Sequence, residues 1–135
     1  MVQFQSGAPI YSYWFPGMIY EYKARLSRVV DGDTVYLFCD LGFRVTVEVE
    51  FRLLGINTPE VVGVQKVSGL AAKAEVERVL ALGPLRVVSD KAEKYGRWLG
   101  TIFVKLQNGT ELNLNQHLLD TGFAKVYMGE GPKPV

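Results

Sequence analysis

The chain has 135 residues, 48% hydrophobic and 21% charged, with a formal net charge of +1. That balance fits one globular domain and excludes a disordered chain or two independent cores. A single cysteine, Cys39, excludes an intrachain disulfide, a single histidine, His117, excludes a multi-histidine zinc site, and near-neutral charge excludes a global basic pull toward nucleic acid.

Residues 1–20 read as an aromatic arm. Phe4, Tyr11, Tyr13, Trp14, Phe15 and Tyr20 all precede the first charged residue, Glu21. A base-stacking platform would interleave basic residues with its rings. This arm has none, so it is expected to pack on the domain or add a strand. It lacks the positive and continuous apolar regions of a secretory leader, which predicts an intracellular protein unless a leader lies outside this sequence.

Strand signals begin near Tyr22 and run through Ala24, Leu26 and Val29-Val30 to a turn at Asp31-Gly32. Thr34 to Cys39 is a second apolar run, and Asp40-Leu41-Gly42 turns again. Phe43, Val45, Val47, Val49, Phe51 and Leu53 then alternate with Arg44, Thr46, Glu48, Glu50, Arg52 and Leu54. The period of two predicts a long strand with one apolar face and Arg52 on the other. Residues 61–68 read as a loop, followed by a helix from about Gly69 to Leu82 that Gly83-Pro84 stops. Leu85–Ser89 and Trp98–Leu106 are the next strands, and Asn108-Gly109 marks a hairpin turn. Asn113-Leu114-Asn115-Gln116 opens a second helix that Gly122 ends. Phe123–Tyr127 reads as a short last strand, and residues 129–135 as a flexible tail. Three strands, a helix, two strands and a helix predict a mainly β chain with α: an OB-fold, a five-stranded Greek-key barrel with two or more helices, over residues 21–128. No apolar run reaches the roughly 18 residues of a membrane span.

Three clusters carry chemistry: Asp31-Gly32-Asp33-Thr34, Arg52 through Glu60, and Glu93-Lys94-Tyr95-Gly96-Arg97. Each alone is ordinary, since Asp-Gly-Asp is a common turn and the charges suit a solvated surface. Together they supply what phosphodiester hydrolysis requires. Carboxylate oxygens suit a hard cation, two arginines can fork onto phosphate oxygens, and a further carboxylate can take a proton from water. Cys39 is expected to be buried, His117 to be a surface or boundary residue of the second helix rather than a catalyst, and Trp98 to pack in the core.

The segments Val29–Val35, Phe51–Glu60, Lys94–Gly100 and Gly122–Tyr127, in that order, resemble the staphylococcal nuclease family. The resemblance covers about residues 23–127. It implies an OB-fold enzyme that hydrolyses DNA and RNA with Ca²⁺, leaving 3′-phosphate ends. Carried over by position, Asp33 is implied as a metal ligand with Asp31 close by, Asn57 falls where the family has a second aspartate, and Thr58 offers its carbonyl. Glu60 is implied as general base. Arg52 and Arg97 are implied to hold the scissile phosphate, Arg97 nearer the leaving oxygen. Lys94, Tyr95 and Tyr127 are implied as substrate contacts. The neutral Asn57 and the nearly uncharged loop 61–66 depart from the pattern and predict weaker Ca²⁺ and DNA binding. The expected partners are single-stranded or flexible DNA and RNA, with no membrane, no obligate protein partner and a monomeric state. The alternative is an OB-type binding module with little or no turnover.

Overall fold

The computed structural model describes residues 20–92, 95–129 and 133, so all but Tyr20 of the aromatic arm, and nearly all of the tail, lie outside the described residues. β1 (Tyr20–Asp31) serves two neighbours. Its first part, Tyr20–Ala24, pairs antiparallel with β5 (Leu85–Ala92), and from Ala24 to Asp31 it pairs antiparallel with β2 (Thr34–Asp40). Two register shifts, at Leu26/Arg28 and Val29/Asp31, bend it between those partners. β2 pairs with β3 (Thr46–Leu53), and β5 with β6 (Trp98–Lys105). A parallel pairing of β3 with β6, Phe51 opposite Trp98 and Leu53 opposite Gly100, closes the ring. The order β1-β2-β3-β6-β5 is a closed five-stranded OB-fold barrel.

Three short strands decorate it. β4 (Ile56–Asn57) pairs with β8 (Lys125–Val126), and β7 (Glu111–Asn113) extends β6. α1 (Lys66–Leu80) follows a 3-10 turn at Gly63–Gln65, and α2 (Leu114–Asp120) is capped by the Asn113 side chain, which accepts from the Gln116 N–H at 3.1 Å. The core joins Val35, Leu37, Phe51, Leu53, Val87, Ile102 and Val104 of the barrel to Val76 and Val79 of α1 and Leu114 and Leu118 of α2. Cys39 lies in that core as expected. Among the described residues no helix is long and apolar enough to cross a membrane.

The long strand expected from Phe43 starts only at Thr46. Gly42, Phe43 and Arg44 all have positive φ, and Leu41 and Val45 close the turn by a 2.9 Å bond from the Leu41 N–H to the Val45 carbonyl. Phe43 is 98% exposed, so the apolar alternation outruns the barrel and its first members face solvent. The first helix begins at Lys66 rather than Gly69. Gly69 is a packing residue: a Cβ there would stand 2.0 Å from the Glu60 carbonyl oxygen. Trp98 shares its side of β6 with Ile102 and Val104, but it opens the strand at the barrel rim and is 46% exposed, so it is not a core residue.

Candidate active site

The β1–β2 turn brings two carboxylates to the rim. The Asp33 N–H donates to Asp31 Oδ1 at 3.0 Å. Gly32 lets this turn lie against α1 and the segment after β4, since a Cβ there would meet Thr58 Oγ1 at 2.7 Å and Ala72 Cβ at 2.8 Å. Asp33 is buried. Its Oδ1 accepts from the Thr34 hydroxyl at 3.1 Å, and its Oδ2 from the Thr58 N–H at 3.1 Å.

Arg52 faces this pair. β3 places it opposite Thr34 and on the side away from Phe51 and Leu53, as the alternation predicts. It is nevertheless buried, because β4, β8 and the turn cover it. Nη1 donates to the Ile56 carbonyl at 3.0 Å and Nη2 to Asn57 Oδ1 at 3.2 Å, while Asp33 Oδ2 lies 3.7 Å from Nη2. The guanidinium stands 5.6 Å from the centre of the Tyr127 ring, and the Tyr127 N–H donates to the Gly55 carbonyl at 2.9 Å.

Asp33, Arg52, Asn57, Thr58 and Tyr127 thus lie together. Arg97 joins them through Thr34: its Nη1 donates to Thr34 Oγ1 at 3.3 Å, and the same hydroxyl donates to Asp33. The Arg97 guanidinium lies 5.9 Å from the Tyr95 ring, which is exposed. Glu60 sits farther out. Its N–H donates to Gln65 Oε1 at 3.2 Å, its carbonyl packs on Gly69, and its half-exposed carboxylate is 3.9 Å from Lys133 Nζ. Lys94 lies outside the described residues.

The electrostatics divide the aspartates. Burial first, then the neighbouring Asp33 carboxylate and more weakly Glu60, push Asp31 up to about 7. Burial also opposes ionisation of Asp33, but hydrogen bonding from Asp31, the charge of Arg52, and bonds from Thr58 and Thr34 overcome it and hold its carboxyl below the usual range. Crowding of two carboxylates drives their titrations apart. Among the described residues the buried Thr58 hydroxyl has no hydrogen-bond partner. Among the described residues no three His, Cys, Asp or Glu side chains gather at metal-binding spacing. A hard cation here would therefore rest on the aspartate pair and on neutral oxygens of Asn57 and Thr58. Carboxylate, amide and hydroxyl oxygens are the donor type a hard cation takes.

One supporting residue was hidden in the sequence. Asn115 reads as part of a helix cap, yet it is buried and ties β6 to the turn that follows β3. Its Oδ1 accepts from the Ile102 N–H at 3.2 Å, and its Nδ2 donates to the Leu54 and Gly100 carbonyls at 3.0 Å each. It pins the chain two residues beyond Arg52 to β6. A polar residue directly after the apolar Leu114 was the available signal.

An uncharacterized protein of Methanocaldococcus jannaschii is 33% identical over an alignment that covers 79% of this chain and 60% of that relative, so the chain spans about 60% of its length. Residues 50–134 match the staphylococcal nuclease homologues, a stretch that holds Arg52, Asn57, Thr58, Glu60, Arg97 and Tyr127 and begins after the Asp31–Thr34 turn. With more than half its length matched, the chain belongs to the family of staphylococcal nuclease homologues.

Proposed function

We propose that the protein is a Ca²⁺-dependent phosphodiesterase that hydrolyses single-stranded or flexible DNA or RNA to 3′-phosphate ends. The observation that carries this reading is the buried Arg52 guanidinium, set against Asp33 and Asn57 at the barrel rim and linked through Thr34 to a second guanidinium, Arg97. A family of nucleases makes hydrolysis the natural use of that arrangement.

Arg52 has five N–H donors, and its hydrogen bonds among the described residues occupy two of them. The rest can fork onto phosphate oxygens with Arg97 and stabilise charge as it develops. Glu60, half-exposed at the edge, accepts the proton of the attacking water. The water oxygen bonds phosphorus, the bond to the 5′-oxygen breaks, and that oxygen takes a proton from solvent. Asp31, Asp33, Asn57 and the Thr58 carbonyl would hold Ca²⁺, which supplies Lewis acidity toward phosphate oxygens when bound. Tyr127 beside Arg52, with Tyr95 and Lys94, contacts the nucleotide.

A binding module with little turnover is the second reading. It is favoured by the neutral Asn57, whose amide oxygen is engaged by Arg52. A quenched fluorescent oligonucleotide separates the two. The nuclease brightens it in Ca²⁺ and not in EDTA. Binding without any cleavage at saturating Ca²⁺ supports the module.

A further inference from the structure

The outward side of β2 carries Thr34, Tyr36, Phe38 and Asp40, while Val35, Leu37 and Cys39 are buried in the core. Thr34 belongs to the site above. Tyr36 and Phe38 continue away from it, and two residues of strand advance about 6.8 Å at ~3.4 Å each. Each ring is covered by a guanidinium from β1. Arg28 lies opposite Tyr36, 4.1 Å from the ring centre, and Arg25 opposite Phe38 at 4.5 Å. Beyond them lies a groove of about 210 Å³ lined by Lys23, Ala24, Arg25, Phe38, Asp40 and Thr46.

Arg25 and Arg28 differ from two other arginines of the surface, Arg78 and Arg86. Arg78 is forked onto Glu75, and Arg86 is held between Glu21 and Glu111. Arg25 and Arg28 have no carboxylate within 4.0 Å among the described residues. Acids stand close by, since Glu50 pairs with Tyr36 and Glu48 with Phe38 on β3, but Glu48 accepts from Ser27 instead. A guanidinium carbon 4.1 or 4.5 Å from a ring centre has one side on the protein. Its other face and its N–H edge remain toward solvent, and both arginines are exposed. Such a plane can stack a base and bond its phosphate.

We propose that the outward face of β1 and β2 is a track for unpaired polynucleotide, continuous with the Asp33–Arg52 cluster. Arg28–Tyr36 and Arg25–Phe38 each take one nucleotide, and the groove beside Lys23 takes the next. The spacing of the two platforms is about twice the ~3.4 Å rise of a stacked strand, which suits an extended strand with splayed bases. Glu48 and Glu50 form the opposite rim and repel phosphates toward the β1 arginines. The inference rests on reading the cluster as a nucleic-acid site and extends it to chain length.

The test is fluorescence anisotropy with labelled oligothymidylate of two, four and eight nucleotides, in EDTA, so that no cleavage is needed. Wild-type affinity should rise with length. Arg25→Ala and Arg28→Ala should each weaken eight-nucleotide binding by about fivefold or more. Each should also flatten the dependence of log K on log salt by about 0.7, a change that a merely structural role would not produce. Arg25→Lys and Arg28→Lys should restore the salt slope without the full affinity. Length-independent wild-type binding, or alanine variants equal to wild type in affinity and slope, would overturn the track. Equal affinity for an oligoglutamate peptide would assign the face to acidic chains and overturn it too. Cleavage measured separately keeps the two readings apart: hydrolysis with length-independent binding sinks the track alone, and arginine-dependent binding without hydrolysis sinks the nuclease alone.

Discussion

Two carboxylates in this protein are displaced in opposite directions. Glu75, on α1, receives the Arg78 fork at 2.7 and 2.8 Å and lies 2.7 Å from His117 Nε2 on α2. Those partners, Arg78 first, bring it down to about 2. Asp31, at the barrel rim, meets burial and another carboxylate and rises to about 7. The fold can therefore neutralise an acid where two helices need joining. At the rim it leaves an aspartate pair short of positive charge, although Arg52 is 3.7 Å from Asp33. That imbalance is what a bound cation would correct.

The largest expected contrast comes from the arginines of the two regions. Arg52→Ala should lower cleavage by roughly 10²–10³-fold and cost about 3 kcal/mol, since it strands the buried Asp33. Arg78→Ala should leave cleavage unchanged and cost little stability, because its side chain is 58% exposed. Equal effects in activity and urea melts would erase the distinction between the regions. The carboxylates give the next contrast. Glu60→Gln should slow cleavage by roughly 10²-fold while oligonucleotide binding persists, and Glu75→Gln should not slow it. Wild-type turnover by the Glu60 variant would remove that residue from the chemistry.

Asn57→Asp should tighten Ca²⁺ by roughly tenfold in calorimetry, since ligand charge tunes affinity. From sequence alone the added charge is expected to destabilise the metal-free protein by crowding Asp33 and Glu60. The geometry revises this, because Arg52 already donates to residue 57 and would meet the new carboxylate as a counter-ion. The metal-free melting temperature should stay within a few degrees, and an unchanged Ca²⁺ affinity would mean that residue 57 faces away from the ion.

The last contrast is in pH. Asp31 is raised when folded, so the folded state binds the extra proton. Its contribution is fully present below the unfolded value of 3.8 and is lost as pH rises toward about 7. Glu75 is lowered when folded, so its contribution is present above 4.5 and is lost as pH falls toward about 2. Calorimetric melts in EDTA should show Asp31→Asn removing the first slope and Glu75→Gln the second. Identical pH profiles for both variants would contradict the opposite displacements.

The sequence disclosed most of the barrel because alternation in β2, the later half of β3 and β6 coincides with burial. It misplaced the start of β3 because Phe43 and Val45 keep the apolar period past the point where a second layer exists to cover them. It did not disclose β4, two residues long, which forms only because β8 lies beside it. The site residues stood out as separated charges between apolar runs. Their mutual distances did not, since Thr34 as the link between Arg97 and Asp33 depends on how the barrel closes. Asn115 escaped for the same reason: a buried amide with three partners looks in sequence like a helix cap.

The parallel pairing of β3 with β6 also bears on when the site exists. Arg97 and Thr34 are 63 residues apart in the chain, and they meet only after β6 has docked against β3. Local hairpins such as β2–β3 can form early, whereas contacts of high sequence separation bear the entropy of closing long loops. The clustering of both guanidinium groups is therefore expected late in folding, and a chain emerging during synthesis cannot assemble the candidate site until β6 is out. In pulse-labelled refolding, the Leu54 amide, which bonds the Gly100 carbonyl at 2.9 Å, should gain protection together with the amides of β6. Protection of Leu54 ahead of β6 would show that the rim organises before the barrel shuts.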